Sequence, residues 1–65
     1  MSKKFLDKIK EDKISVTLFL MTGIKLQGHL IDYTDDTILL KRDGHIQLIY
    51  THSISTIMPA SVVEI

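Results

Sequence analysis

The stretch "ISVTLFLM", residues 14–21, changes the hydrophobic period of the chain and decides the fold. Apolar side chains recur at every second position from Ile14 and Val16, which is typical of one face of a β-strand. The alternate face carries Phe19 and Met21 besides two hydroxyl residues, so it is not a simple water-facing surface. The stretch predicts a strand with a core face and a second face that is only partly hydrated.

The segment before this strand has a helical period. Phe5 and Ile9 are four residues apart, which places them on one face of an amphipathic helix over about residues 3–12. Ser2 stands where an N-cap residue is expected. Lys, Asp and Glu fill most other positions, so we interpret the rest of the helix surface as water-facing.

Four more short strands follow, and we predict them at 24–33, 37–42, 45–50 and 53–58. Gly28 predicts a bulge or bend within the second strand, and Asp43-Gly44 is a strong hairpin signal. The sequence therefore predicts a mostly β fold. An N-terminal α-helix precedes a five-stranded, strongly bent antiparallel sheet, an open SH3-like barrel. We expect a single domain over residues 1–65, with its strands between about 14 and 59 and no long C-terminal tail.

Length and composition favour self-association. A chain of 65 residues buries only roughly 60% of the surface that its unfolded form exposes, so its core is marginal. The absence of cysteine removes disulfides and thiolate metal sites, and it fits a reducing cytoplasm. The three histidines are too widely spaced to suggest a metal site. No run of charge blocks the edges of the fourth and fifth strands, so edge-to-edge joining into a ring is expected.

The charge balance limits the possible partners. Eight Lys and Arg offset eight Asp and Glu, whereas a protein that coats phosphates is usually strongly basic. Any nucleic acid must therefore bind to local patches. The longest apolar run, residues 18–21, is far shorter than a membrane span, and the N-terminus lacks the pattern of a signal peptide.

Three motifs carry a resemblance to a known family: "GIKLQG" at 23–28, "ILLK" at 38–41 and "IYTHSIST" at 49–56. Together, and in this order, they resemble Hfq, the bacterial Sm-like RNA chaperone family. The resemblance implies a homohexameric ring that binds adenine- or purine-rich single-stranded RNA on a distal face. It also implies a proximal pore site for uridine-rich ends, a lateral rim, no cofactor, and a role in pairing small RNAs with messengers.

The resemblance implies which residues form the distal face. Phe19 would stack on a base, the segment from Gly23 to Gln27 would meet purines, and Gln47 and Thr56 would read the adenine edge or support it. Periodicity alone leaves a second interpretation open, in which Phe19 and Leu26 only pack in a core. The implied distal residues are Phe19, Gly23, Ile24, Lys25, Leu26, Gln27, Gln47 and Thr56.

The proximal face departs from the family pattern. Thr51 replaces the usual lysine between tyrosine and histidine, while Asp35 and Asp36 replace an amide residue and a stacking phenylalanine. The added carboxylates repel phosphate near the pore, so we expect an impaired uridine site. The implied proximal residues are Asp35, Asp36, Tyr50, Thr51 and His52.

The rim matches the family in part. Lys10 and Lys13 stand where arginines are common, and Tyr33 offers an aromatic ring or packs locally. Lysine lacks the planar fork of arginine, so we expect weak annealing of RNA strands.

Two other functional classes compete with RNA binding. His52 with Asp35 and Asp36 is the best enzyme-like set, but no nucleophile elbow, phosphate loop or zinc spacing accompanies it, so we predict no enzyme. A small β-barrel that binds proteins would need a groove rich in aromatic side chains. The four Phe and Tyr residues of the chain supply little for such a groove.

Overall fold

The computed structural model describes residues 2–65 and confirms the predicted helix and five antiparallel strands. The elements in chain order are α1 (Lys3–Glu11), β1 (Ser15–Leu20), β2 (Lys25–Tyr33), β3 (Thr37–Arg42), β4 (His45–Tyr50), a 3₁₀ turn (Thr51–Ser53) and β5 (Ile54–Pro59). The 3₁₀ turn was not predicted. Within residues 2–65, no helix has the length and apolar character needed to cross a membrane.

Helix α1 lies on the sheet through its apolar face. Leu6 and Ile9 are fully buried, and Phe5 packs against the same core. Ser2 is the N-cap residue of the helix, as predicted, and its carbonyl accepts a 3.1 Å hydrogen bond from the Leu6 N–H, but its side chain makes no capping hydrogen bond. After the helix, Lys13 adopts a φ of 53°, and this left-handed residue helps turn the chain into β1.

The five strands form one open sheet in the order β4-β3-β2-β1-β5. As expected, β4 and β5 are its two edges. Val16 and Leu18 on β1 supply the centre of the core, as the alternating period predicted. The buried core of residues 2–65 consists of Leu6, Ile9, Val16, Leu18, Leu30, Ile38, Leu40 and Ile49.

The two glycine-dependent predictions have different outcomes. Asp43 and Gly44 both have positive φ, 50° and 79°, as a two-residue hairpin turn requires. Gly28 is not the bulge: the β1–β2 pairing is regular across it, and the irregularity in β2 lies between Leu30 and Asp32. Gly28 instead lets β3 approach closely, because a Cβ there would lie 2.5 Å from the carbonyl oxygen of Lys41.

Strand β4 exposes an apolar stripe on one face of the open edge. Ile46, Leu48 and Tyr50 alternate along the strand and keep 61%, 53% and 57% of their surface exposed. Met58 on β5, the opposite edge, is also exposed. Both free edges therefore combine unpaired backbone groups with apolar side chains.

Candidate nucleic-acid interface

An aromatic ring and a cation lie side by side where β1, β2 and β5 meet. Phe19 is directly opposite Lys25 on β2 and Thr56 on β5, and residues in such pairs project on one face. The Lys25 Nζ atom lies 5.6 Å from the centre of the Phe19 ring, within the range of a cation–π contact. The Ser55 hydroxyl donates a 3.0 Å hydrogen bond to the Phe19 carbonyl. This surface offers a stacking ring, a positive charge and a hydroxyl.

Gln27 extends the same face along β2, two residues beyond Lys25. Its Nε2 donates to Thr17 Oγ1 at 3.4 Å, and its Oε1 accepts from Arg42 Nη1 at 3.2 Å. These bonds hold the amide between β1 and β3. Leu26 points the other way, opposite buried Leu18, and packs against the core. The core interpretation thus describes Leu26 but not Phe19, which is half-buried outside the core cluster.

The turn between β1 and β2 lies beside Lys25. Gly23 has a φ of 94°, and its N–H donates to the Leu20 carbonyl at 2.9 Å. The Leu20 N–H in turn donates to the Ile24 carbonyl at 2.8 Å. The turn leaves Ile24 exposed, next to Lys25 in the chain and so beside the surface formed by Phe19 and Lys25.

Gln47 does not join this surface within one chain. It lies on edge strand β4, opposite Leu40, and three strands stand between β4 and the other edge, β5. Thr56 lies on β5. A site that includes Gln47 and Thr56 therefore needs contributions from both edges of the sheet.

The proximal residues are gathered by backbone contacts. The Thr51 N–H donates a 2.8 Å hydrogen bond to the Asp36 carbonyl, and its hydroxyl donates to the Asp35 carbonyl at 3.2 Å. The rings of Tyr50 and His52 are stacked, with centroids 5.7 Å apart and planes 22° apart. All five predicted proximal residues thus lie around the 3₁₀ turn.

The rim lysines have different surroundings. Lys10 Nζ is 3.2 Å from Asp32 Oδ1, so a carboxylate offsets part of its charge. The pKa of Asp32 is lowered, mainly because its carboxylate accepts a hydrogen bond from the Tyr33 N–H and, to a smaller extent, because of Lys10. No ion pair of Lys13 occurs among residues 2–65.

Tyr33 is tied to the helix rather than left as a free aromatic. Its hydroxyl donates to an Asp7 carboxylate oxygen, and this bond raises the pKa of Tyr33 to about 12. The same bond is the main cause of the lowered pKa of Asp7. The structure therefore favours the packing role that the sequence left open.

Arg42 is a neighbour of the site that the sequence did not indicate. It is 15 residues from Gln27 along the chain, and only the folded sheet brings the two together. The hairpin signal at Asp43-Gly44 predicted that Arg42 ends a strand, but it did not predict the contact between Arg42 and Gln27. Within residues 2–65, no group of three His, Asp or Glu side chains is placed to hold a metal ion.

Comparisons with known proteins agree on one family. A family model described as Hfq protein matches residues 1–64. The chain is 52% identical over 61 residues to the RNA-binding protein Hfq of Rhodospirillum rubrum, covering 94% of this chain and 74% of that protein. It is 48% identical over 60 residues to the RNA-binding protein Hfq of Brucella ovis, covering 92% and 77%. A 1.55 Å crystal structure of the pleiotropic translational regulator Hfq matches with a TM-score of 0.85 and 31% identity, covering 89% of this chain and 88% of that one.

Proposed function

The chain belongs to the Hfq protein family, and on that premise we propose that it is a non-catalytic RNA-binding protein that works as a homohexameric ring. It binds adenine- or purine-rich single strands on its distal face and takes part in small-RNA-linked regulation in the cytoplasm. The observation that carries this proposal is the shared surface of Phe19, Lys25 and Gln27 in a chain of this family.

The distal surface has the chemistry that a single strand needs. A base stacked on Phe19 gains about 1–3 kcal/mol, and stacking accepts any base. The base takes the place of the Lys25 ammonium above the ring, and the released ammonium reaches a phosphate. Beyond its bonds to Thr17 and Arg42, the Gln27 amide keeps a second N–H and a second lone pair, which suit the N7 and N6 atoms of adenine.

Ring assembly is supported by the two free edges. Pairing β4 of one copy with β5 of the next satisfies open backbone groups and covers the exposed stripe of Ile46, Leu48 and Tyr50. It also brings Gln47 of one copy close to Thr56 of its neighbour. The distal site is then complete only in the assembly, which accounts for the separation of these residues in one chain.

The proximal site is proposed to bind uridine poorly. Asp35 and Asp36 supply carboxylates where a family member offers an amide and an aromatic ring, and Thr51 supplies no cation. Repulsion of phosphate is repeated in every subunit around the pore.

The test is fluorescence anisotropy with labelled oligo-adenylate, oligo-uridylate and oligo-cytidylate, on protein whose oligomeric state has been measured. We expect oligo-adenylate to bind most tightly. A ring that binds none of the three in moderate salt would contradict RNA binding. A stable monomer that binds peptides instead would favour a protein-interaction barrel.

A further inference from the structure

We propose that a basic side groove over β2 and β3, defined by Gln27, His29, Lys41 and Arg42, binds RNA phosphates and carries the strand off the distal face. The proposal deepens the proposed function and rests on it, because it assumes that RNA occupies the Phe19 surface. It assigns roles to His29, Lys41 and Arg42, which lie outside the distal, proximal and rim sets.

The groove continues the distal surface without a break. Lys25, Gln27 and His29 are alternate residues of β2, so they project on one face. His29 is directly opposite Ser15 on β1 and Lys41 on β3, which makes a polar row across three strands. A strand that leaves Gln27 along β2 therefore meets this row next.

Gly28 lines the groove with its backbone, between Gln27 and His29. A side chain at this position would project to the opposite, core-facing side of the sheet, where its Cβ would lie 2.5 Å from the Lys41 carbonyl oxygen and 3.1 Å from Leu40 Cγ. Because glycine has no side chain, β2 and β3 lie close together, with His29 directly opposite Lys41.

The charges of the groove suit a phosphodiester chain. Arg42 is bonded to Gln27 through Nη1 and lies 3.5 Å from Asp43 through Nε, yet its side chain is 55% exposed. A guanidinium carries five N–H donors, so donors remain for a phosphate. Among residues 2–65, Lys41 has no ion pair. The only carboxylate lining the groove in this part of the chain is that of Asp43.

The groove also leads to the end of the helix. A neighbouring depression shares His29 and Lys41 with it and adds Lys10 and Lys13. Cationic side chains thus form a continuous path from the distal surface to the rim. In a chain of zero formal net charge, this local concentration favours a polyanion over a neutral partner.

The decisive experiment compares RNA length. Oligo-adenylates of about 4 to about 16 nucleotides span the site sizes of small β-barrels that bind single strands. The shortest should fill only the distal surface, and the longest should also reach the groove. Lys41→Ala is the main variant, because Lys41 does not contact Gln27. Arg42→Ala is the second, and Lys4→Ala removes one charge from the helix as a control.

Lys41→Ala should weaken binding of the long oligomer by about tenfold, as expected for loss of a hydrogen bond between charged groups. It should also lower the slope of log affinity against log salt by about 0.7, the contribution of one phosphate on a single strand. Binding of the short oligomer should not change, and Lys4→Ala should change neither length.

Three outcomes would overturn the groove alone. Lys41→Ala could leave both lengths unchanged or weaken both equally, or polyglutamate could displace the long oligomer as well as RNA does. The last result would mark a general polyanion site, such as one for an acidic protein segment. Wild-type protein that binds neither length refutes the proposed function itself, so the two failures are distinguishable.

Discussion

The Thr51 N–H donates a 2.8 Å hydrogen bond to the carbonyl oxygen of Asp36, which ties the 3₁₀ turn to the loop before β3. The Thr51 hydroxyl adds a 3.2 Å bond to the carbonyl oxygen of Asp35. The residue at the usual lysine position is therefore held against the two acidic residues. The departures from the family pattern form one local unit.

This unit leads to the first prediction, on uridine binding. Wild-type protein should bind oligo-uridylate at least about tenfold more weakly than oligo-adenylate, because repulsion by Asp35 and Asp36 costs roughly 1.4 kcal/mol or more. Anisotropy at neutral pH and moderate salt measures both affinities. The variant Asp36→Phe/Thr51→Lys should reduce the difference between the two affinities, because it supplies a stacking ring and a cation. Glu64→Lys makes the same change in net charge outside this unit and serves as the control. Equal affinities for the two RNAs in wild-type protein would show that the carboxylates point away from the RNA.

The second prediction concerns stacking on the distal face. Phe19→Ala should weaken oligo-adenylate by about 1–3 kcal/mol per stacked base, with little change in the salt slope. Lys25→Ala should instead flatten that slope, because it removes a phosphate contact. Phe5→Ala, which alters the packing of α1 against the core, tests whether general destabilisation has the same effect on binding. Unchanged binding by an intact Phe19→Ala ring would remove Phe19 from the site.

The third prediction concerns assembly. Leu48→Glu places a charge in the exposed stripe of β4, so it should convert the ring to smaller species at micromolar concentration. Light scattering measures the mass directly. Val62→Glu introduces the same charge at an exposed position outside the strands and should leave the ring intact. A wild-type protein that is monomeric would contradict both the ring and the proposed function.

The fourth prediction follows from the hydrogen bond between Tyr33 and Asp7. Tyr33→Phe should destabilise the fold at neutral pH, since it removes the bond between β2 and α1. The Tyr33 hydroxyl has its pKa raised from 10.0 to about 12 in the folded chain, so its contribution is present below pH 10 and is lost as pH rises towards 12. The bond also lowers the pKa of Asp7, so that contribution is present above pH 3.8 and is lost in more acidic solution.

Urea unfolding of wild type and Tyr33→Phe across this pH range measures the difference in stability. The difference should be constant near neutrality and shrink at both extremes. A difference that does not vary with pH would mean that the phenol contributes by packing alone.

The fifth prediction concerns the close approach of β2 and β3. Gly28→Ala should lower the free energy of unfolding by about 1–3 kcal/mol, because its Cβ meets the rigid carbonyl of Lys41. Urea unfolding measures the loss. Gly44→Asn is the control: nothing lies within 4 Å of a Cβ there, and asparagine tolerates the positive φ of this turn. If Gly28→Ala is as stable as wild type, the two strands can separate without cost.

Local chemistry determined much of this protein in advance. The switch of period at Ile14 located the first strand, and the dipeptide Asp43-Gly44 located a hairpin, because period and turn preference depend on near neighbours along the chain. The motifs from Gly23 and from Ile49 indicated the family. None of these signals needed knowledge of which strands are neighbours.

Tertiary structure decided the contacts between distant parts of the chain. Strand order placed three strands between β4 and β5 and so kept Gln47 away from Thr56 within one chain. Register placed Arg42 beside Gln27 and set Gly28 against Lys41, while docking of α1 joined Tyr33 to Asp7 across 26 residues. A residue's own neighbours in sequence carry little information on such pairs, because they form only when the buried side chains fix how whole elements pack.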